Sequence, residues 1–305
     1  MKMESSRRAA IVAVLAMLAI RANPAWAAPD QETVPLQAPA DGSPILVAFV
    51  ISEHAVVIDF AGPWEVFQDA VTPGAGFKLY TVSASKKPIR VSGGMQLVPD
   101  YTFADAPAPR IVVVPAQHGF KDPPDQKKML DWLRKTSEKN DLTMSVCSGA
   151  FLLGEAGLLD GKSATTIHTA WRHLEAQFPK VHVERGVRFV EDGKVATSGG
   201  LSSGIDLALH VVERYLGREA AEKTAFEMEY QGTGWKDRHS NANYATYMAA
   251  HEGKAAAQGM ALDPVCGMTI DTRNAPTASY KGKTYYFCSR DDKVAFDAQP
   301  QKYVQ

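Results

Sequence analysis

"LTMSVCSGAFLLGEAGLL", residues 142–159, decides the fold. Its first five residues are rich in apolar and β-branched side chains and read as a strand ending at Cys147. The small residues and leucines after Cys147 read as a helix. A strand that turns at once into a helix through Cys-Ser-Gly-Ala has the form of a nucleophile elbow. Small residues there let the backbone turn tightly and let a second molecule come close. The partial positive charge of a helix N-terminus favours thiolate over thiol. The N–H groups of Ser148 and Gly149 are then placed to hold a developing oxyanion. Spacing alone is also served by Cys147 as a small apolar core residue, so both readings stand at this level.

Outward from this turn, strands and helices alternate. "PILVAFVI" (44–51) and "RIVVVPA" (110–116) are continuous apolar runs, the mark of strands buried on both faces. "GFKLYTVSAS" (76–85) is a further strand. Between them, "DFAGPWEVFQDA" (59–70) predicts a helix with Pro63 near its first turn. "DQKKMLDWLRKTSEKN" (125–140) carries Met129, Leu130 and Leu133 on one stripe of an amphipathic helix. "TAWRHLEAQF" (169–178) is helical, and "VRFVEDGKVATS" (187–198) predicts a hairpin about Asp192-Gly193. "SSGIDLALHVVERYLG" (202–217) is a helix with Ser203 as N-cap and Gly217 as its stop. Such alternation implies an α/β fold with a mostly parallel sheet covered on both faces.

The totals narrow the function classes. The chain has 305 residues, 45% hydrophobic and 22% charged, with a net charge of −1. That balance gives no electrostatic reason to bind nucleic acid. Three cysteines are too few for a disulfide scaffold. Lys2, Arg7 and Arg8 precede the apolar run "AAIVAVLAMLAI" (9–20), and Ala25-Trp26-Ala27 fits a small-x-small cleavage site. Residues 1–27 therefore read as a secretory signal peptide, with export to a bacterial periplasm or beyond. The mature chain would carry about −4 and meet no membrane after cleavage. Residues 28–43 and 232–260 are rich in small and polar residues and read as linkers. Residues 44–231 form one domain and 261–305 a second, small one.

Several separated motifs, in order, resemble the ThiJ/PfpI superfamily, in its isonitrile-hydratase and AraC-sensor branch. They are "VIDFAGPWEVF" (57–67), "VCSGAFLLGEAGLLDGKSATTIHTAW" (146–171), "GGLSSGIDLALHVVERYLG" (199–217) and "AFEMEY" (225–230). The resemblance implies a flavodoxin-like three-layer sandwich related to class I glutamine amidotransferases. By position it makes Cys147 the nucleophile and Asp59 its acidic partner; the plain alternative for Asp59 is a helix N-cap. His168, after a Thr-Thr pair, becomes a candidate for substrate polarisation or proton transfer, and His118 a further pocket candidate. The family places paired glycines after the strand 110–116, where this chain has "PAQHGF", so Gly119 joins Ser148 and Gly149 as a candidate backbone donor. The activity implied is that of a cysteine-dependent hydrolase or hydratase acting on a small electrophile, without a cofactor. A homodimer is the assembly the relatives suggest. No stretch after residue 231 reads as a DNA-binding helix-turn-helix. The alternative is a non-catalytic periplasmic redox- or metal-sensing protein.

"DPVCGM", "YKGKTYYFCS" and "KY" (263–303) resemble a YHS domain, a small α+β module of heavy-metal handling proteins. That family follows "FCS" with two residues and then another cysteine, and at that place this chain has Asp292. Cys266, Cys288 and Asp292 are thus candidate ligands for a divalent heavy metal, with Met260 and Met268 as softer ones. A Cys266–Cys288 disulfide is the competing reading in an oxidising compartment.

Overall fold

The computed structural model describes residues 35–304, except 73, 118, 120–122, 252–258, 266–268 and 289. The signal segment, His118, Cys266 and Met268 therefore lie outside the described residues. Seven strands form the central sheet: β1 (Ile45–Val50), β2 (Phe77–Ser83), β3 (Tyr101–Thr102), β4 (Ile111–Val114), β5 (Leu142–Val146), β6 (Phe189–Asp192) and β7 (Val195–Ser198). Their order is β6-β7-β5-β4-β1-β2-β3. All neighbours run parallel except the β6–β7 hairpin, which turns at Asp192-Gly193 as its sequence predicts.

The strands at the centre are apolar throughout because both faces are covered. Ile45, Val47 and Phe49 of β1 pack under helices α1 (Val57–Asp69), α5 (Ser203–Leu216) and α6 (Arg218–Glu227). Ala48 and Val50 face the opposite layer of α2 (Pro123–Ser137), α3 (Gly149–Glu155) and α4 (Trp171–Gln177), meeting Met129, Leu133, Leu153 and Leu174. The period-2 alternation of one strand thus feeds two cores, which gives the three-layer α/β sandwich its form.

Boundaries shift where local signals compete. Ser203 was the expected cap of α5, but Ser202 takes that place and Ser203 is the first helical residue. Gly217 stops the helix as expected, at φ 87°, where a side chain would be strained. Residues 168–178 split into a short 3-10 turn, His168–Ala170, followed by α4. The largest difference falls within 232–260. Trp235 in that stretch is only 4% exposed, and its N–H donates to Asp206 Oδ1 at 3.0 Å. Helix α7 (Ala242–His251) follows it. Low hydrophobicity along the chain concealed one anchoring tryptophan.

In the tail, β8 (Met260–Leu262) pairs with β9 (Thr269–Asp271), and β10 (Thr277–Tyr280) forms the expected hairpin with β11 (Lys283–Tyr286). Helix α8 (Arg290–Ala298) and a last turn, α9 (Pro300–Tyr303), complete it. Its core is aromatic: Phe296 is buried against Phe287 and Tyr285, with ring centroids 5.1 and 4.9 Å away.

Candidate active site

Cys147 stands between the last residue of β5 and the start of α3 with φ 57°, a left-handed conformation that a non-glycine residue adopts only under constraint. The constraint is visible on both sides. Its N–H donates to the Gly199 carbonyl at 3.0 Å, and its carbonyl accepts the Thr166 hydroxyl at 2.8 Å. Behind the turn, a Cβ on Gly149 would lie 2.2 Å from the Val114 carbonyl oxygen, so this helix start can sit against β4 only as glycine. The sulfur is held on a true elbow. Its side chain packs with Ala116, Val146, Val56 and Ile167 and is 5% exposed.

That burial changes the electrostatics expected from sequence. α3 is only seven residues long, so the field at its N-terminus is modest. Burial raises the Cys147 thiol well above its ordinary value, and the charge of Asp59 adds to the rise. Hydrogen bonds from Ser148 and from the Leu201 N–H oppose it without winning. The resting group is a thiol rather than a thiolate.

Asp59 sits in the first turn of α1, fully buried. It does not cap that helix: Val56 is the N-cap residue, and the Val57 N–H reaches Ser92 Oγ at 3.1 Å instead. One oxygen of Asp59, Oδ2, accepts the Ala116 N–H at 3.1 Å from the loop after β4. The other, Oδ1, meets no donor at full hydrogen-bonding geometry among the described residues, although the Leu201 N–H and the Cys147 thiol face the carboxyl. Burial pushes this carboxyl up to about 7, against the opposing bonds from Ala116, Leu201 and Cys147. Asp59 and Cys147 thus touch, both displaced toward their protonated forms, with a carboxyl poised to exchange a proton near neutral pH.

The other expected site residues disperse. Ser148 and Gly149 lie at the elbow, where Ser148 bonds the sulfur through its backbone and side chain. Gly119 lies against Gln126 of α2. Gln117, two residues before it, accepts the Ser52 N–H at 2.5 Å and donates to the Val50 carbonyl at 2.9 Å. Where the family pattern puts glycines, this chain therefore clamps the end of β1. His168 has aromatic partners, Tyr244 at 4.8 Å and Trp171 at 6.3 Å between ring centroids. It lines a cavity of about 170 Å³ next to the elbow, with Thr166, Ile167, Gly199 and Leu201 in the walls. Burial lowers its pKa, so its ring is neutral at pH 7.

Leu201 escaped the sequence reading. It is left-handed, φ 51°, and its N–H faces both Asp59 and Cys147. Nothing in the residue type signals this, because the contact is made by backbone.

In the tail, Cys288 and Asp292 come together as expected, with Sγ 3.3 Å from Asp292 Oδ2. The third member of the group is Asp263, inside the "DPVCGM" motif but passed over. Ligand atoms of Asp263, Cys288 and Asp292 all lie within 4.8 Å of one another. Asp263 is fully buried, accepting the Cys288 N–H at 2.6 Å and the Val265 N–H at 2.8 Å. Burial and the neighbouring Asp292 raise its pKa. Two buried carboxyls held together beside a thiol fit a divalent cation, which would relieve their mutual repulsion.

Comparison with known proteins agrees with this architecture. The DJ-1/PfpI family model matches residues 46–214, and the YHS domain model matches residues 261–305. Isonitrile hydratase of Pseudomonas putida is 32% identical over 184 residues, which cover 60% of this chain and 78% of that protein. The HTH-type transcriptional regulator GbdR of Pseudomonas aeruginosa is 26% identical over 184 residues, covering 59% of this chain and 49% of the regulator. A crystal structure of a ThiJ/PfpI family protein from Pseudomonas syringae superposes with a TM-score of 0.55 at 25% identity, covering 77% of this chain and 95% of that one. With the sheet order, the strained cysteine elbow and a family match over more than half its length, the chain belongs to the DJ-1/PfpI family and carries a YHS domain at its C-terminal end.

Proposed function

We propose that this protein is an exported cysteine-dependent hydratase or hydrolase of small electrophiles, with isonitrile hydration as its model reaction. One observation carries the reading: a fully buried carboxyl, pushed up to about 7, lies against a thiol on a strained elbow. A structural cysteine needs neither the strain nor the carboxyl. The chemistry that follows is balanced without a cofactor. Asp59 takes the Cys147 proton as the sulfur bonds to the terminal carbon of an isonitrile, and returns that proton to the same carbon, leaving a thioimidate. Water then adds to the carbon, giving up one proton to the nitrogen through Asp59. The C–S bond breaks, the thiol is restored, and an N-substituted formamide leaves. The Leu201 N–H is a backbone donor beside this centre. Isonitrile hydratase similarity supports the substrate class.

Turnover of a small isonitrile to the formamide, followed by loss of isonitrile absorption in the infrared, tests this. Cys147→Ala should abolish it, and Asp59→Asn should lower kcat by at least about 100-fold, the usual contribution of a proton-transfer group. Unchanged turnover in Cys147→Ala would overturn the reading.

A second reading, a redox- or metal-sensing protein, draws on the regulators among the relatives and on the tail. Asp263, Cys288 and Asp292 would hold the metal there, joined by Cys266 unless it pairs with Cys288. The carboxylates and thiolate would supply a charged, mixed hard and soft ligand set.

A further inference from the structure

We infer that Thr166 is a positioning residue of this site: by gripping the Cys147 carbonyl, its hydroxyl aims the Ser148 N–H at the sulfur. Its part in turnover rests on the proposed function, whereas its effect on the thiol stands without it. The peptide bond between Cys147 and Ser148 is trans, so its carbonyl and its N–H share one plane and point in opposite directions. The carbonyl accepts the Thr166 hydroxyl at 2.8 Å. The N–H at the far end of that plane bonds the Cys147 sulfur. Fixing one end of a rigid plane fixes the other. A carbonyl that accepts a hydrogen bond also makes the N–H of its own peptide a stronger donor.

The grip matters because Cys147 is strained. Its φ is 57°, and its own N–H is tied to the Gly199 carbonyl. Such a residue relaxes chiefly by rotating the peptide that follows it, and the Thr166 hydroxyl opposes that rotation. Thr166 is in turn fixed to the sheet that carries Cys147. Its carbonyl accepts the Trp171 indole N–H at 3.0 Å, and the same N–H reaches Thr165 Oγ1 at 3.2 Å. Thr165 donates its hydroxyl to the Glu184 carbonyl at 2.8 Å and its N–H to Thr197 Oγ1 at 2.7 Å. Thr197 lies on β7 opposite Ser145 of β5, the strand that leads into Cys147. Thr165, Thr166, Trp171 and Thr197 are all buried, and β-branched side chains are stiff, so this chain of bonds has little slack. In the proposed reaction the sulfur carries charge twice, when Asp59 takes its proton and when the C–S bond breaks. An N–H aimed at it beforehand stabilises both steps.

Alkylation of the full chain with iodoacetamide at about pH 9, followed at Cys147 by peptide mass, tests this. Thr166→Val keeps the shape and removes the proton. It should slow alkylation about tenfold, because losing an aimed donor shifts the thiol by about one pH unit. Thr166→Ala removes the same proton and should act alike, so the result does not depend on one replacement folding. Thr166→Ser restores the hydroxyl and should stay within about twofold of the parent. Mere loosening of the elbow predicts the reverse, because a more exposed thiol reacts faster. Faster or unchanged alkylation in Thr166→Val and Thr166→Ala, or equal slowing in Thr166→Ser, would overturn the inference. Isonitrile turnover gives a second readout. Thr166 borders the cavity, so contact with substrate would show in KM, whereas aiming the donor shows in kcat. Thr166→Val should lower kcat about tenfold with KM within about twofold; a raised KM at unchanged kcat would also overturn the inference. Slowed alkylation in Thr166→Val without turnover in the parent would sink the reaction and keep the role of Thr166. Turnover in the parent, with alkylation and kcat both unaltered in Thr166→Val, would sink that role and keep the reaction.

Discussion

Replacing Asp59 by asparagine should make the protein's stability respond to pH in a calculable way. In the folded chain the Asp59 carboxyl titrates at about 7, against 3.8 as its ordinary value. Its folded-state pKa is raised, so the native state holds the proton more tightly than the unfolded chain does. Stability is therefore full below about pH 4, falls as pH rises from there to about 7, and is level above. The slope within that window is about 1.4 kcal/mol per pH unit. Asparagine has no such titration, yet keeps a carbonyl to accept the Ala116 N–H that Oδ2 accepts at 3.1 Å. Its amide brings an extra N–H to the Oδ1 side, facing the Leu201 N–H and the Cys147 thiol, a constant cost of about 1–3 kcal/mol. That constant cancels when two pH values are compared. Between pH 5 and pH 8, the stability of Asp59→Asn relative to the parent should rise by about 3 kcal/mol. Urea unfolding of both proteins at the two pH values, followed by circular dichroism, measures it. A relative stability that moves by less than about 0.5 kcal/mol would mean that Asp59 ionises as an ordinary carboxylate, and the proton-sharing account of the Cys147 site would fall with it.

Three further outcomes follow from the same geometry. Cys147 should resist alkylation at pH 7, with a rate that climbs to an apparent pKa above the ordinary thiol value of about 8.5; a midpoint below 8 by mass spectrometry would contradict the burial seen here. Gly149→Ala should destabilise by about 3 kcal/mol or more, because its Cβ meets backbone oxygens of Val114 and Pro115, at 2.2 and 2.9 Å, that cannot retreat; thermal unfolding checks this. The full chain should take up one equivalent of Zn²⁺ or Co²⁺ in the tail, and Asp263→Asn should weaken uptake at least tenfold, read by calorimetry and by the Co²⁺ absorption spectrum.

The chain order of residues determined a great deal without further help. Apolar runs at 44–51, 110–116 and 142–146 could be buried only in a covered parallel sheet, and that is where β1, β4 and β5 lie. Cys-Ser-Gly-Ala after β5 specified the elbow, because glycine at 149 is what lets α3 start against β4. What tertiary structure decided concerns energies and partners set at a distance. The thiol is raised rather than lowered because desolvation, a property of everything packed around Cys147, outweighs a seven-residue helix dipole. Asp263 joins Cys288 across 25 residues, and Leu201 acts through an N–H that any side chain would have carried. The stretch read as a linker became a wall of the pocket because one tryptophan, Trp235, is buried against Asp206. Periodicity reports which face of an element is apolar; it does not report what a polar segment finds when it arrives there.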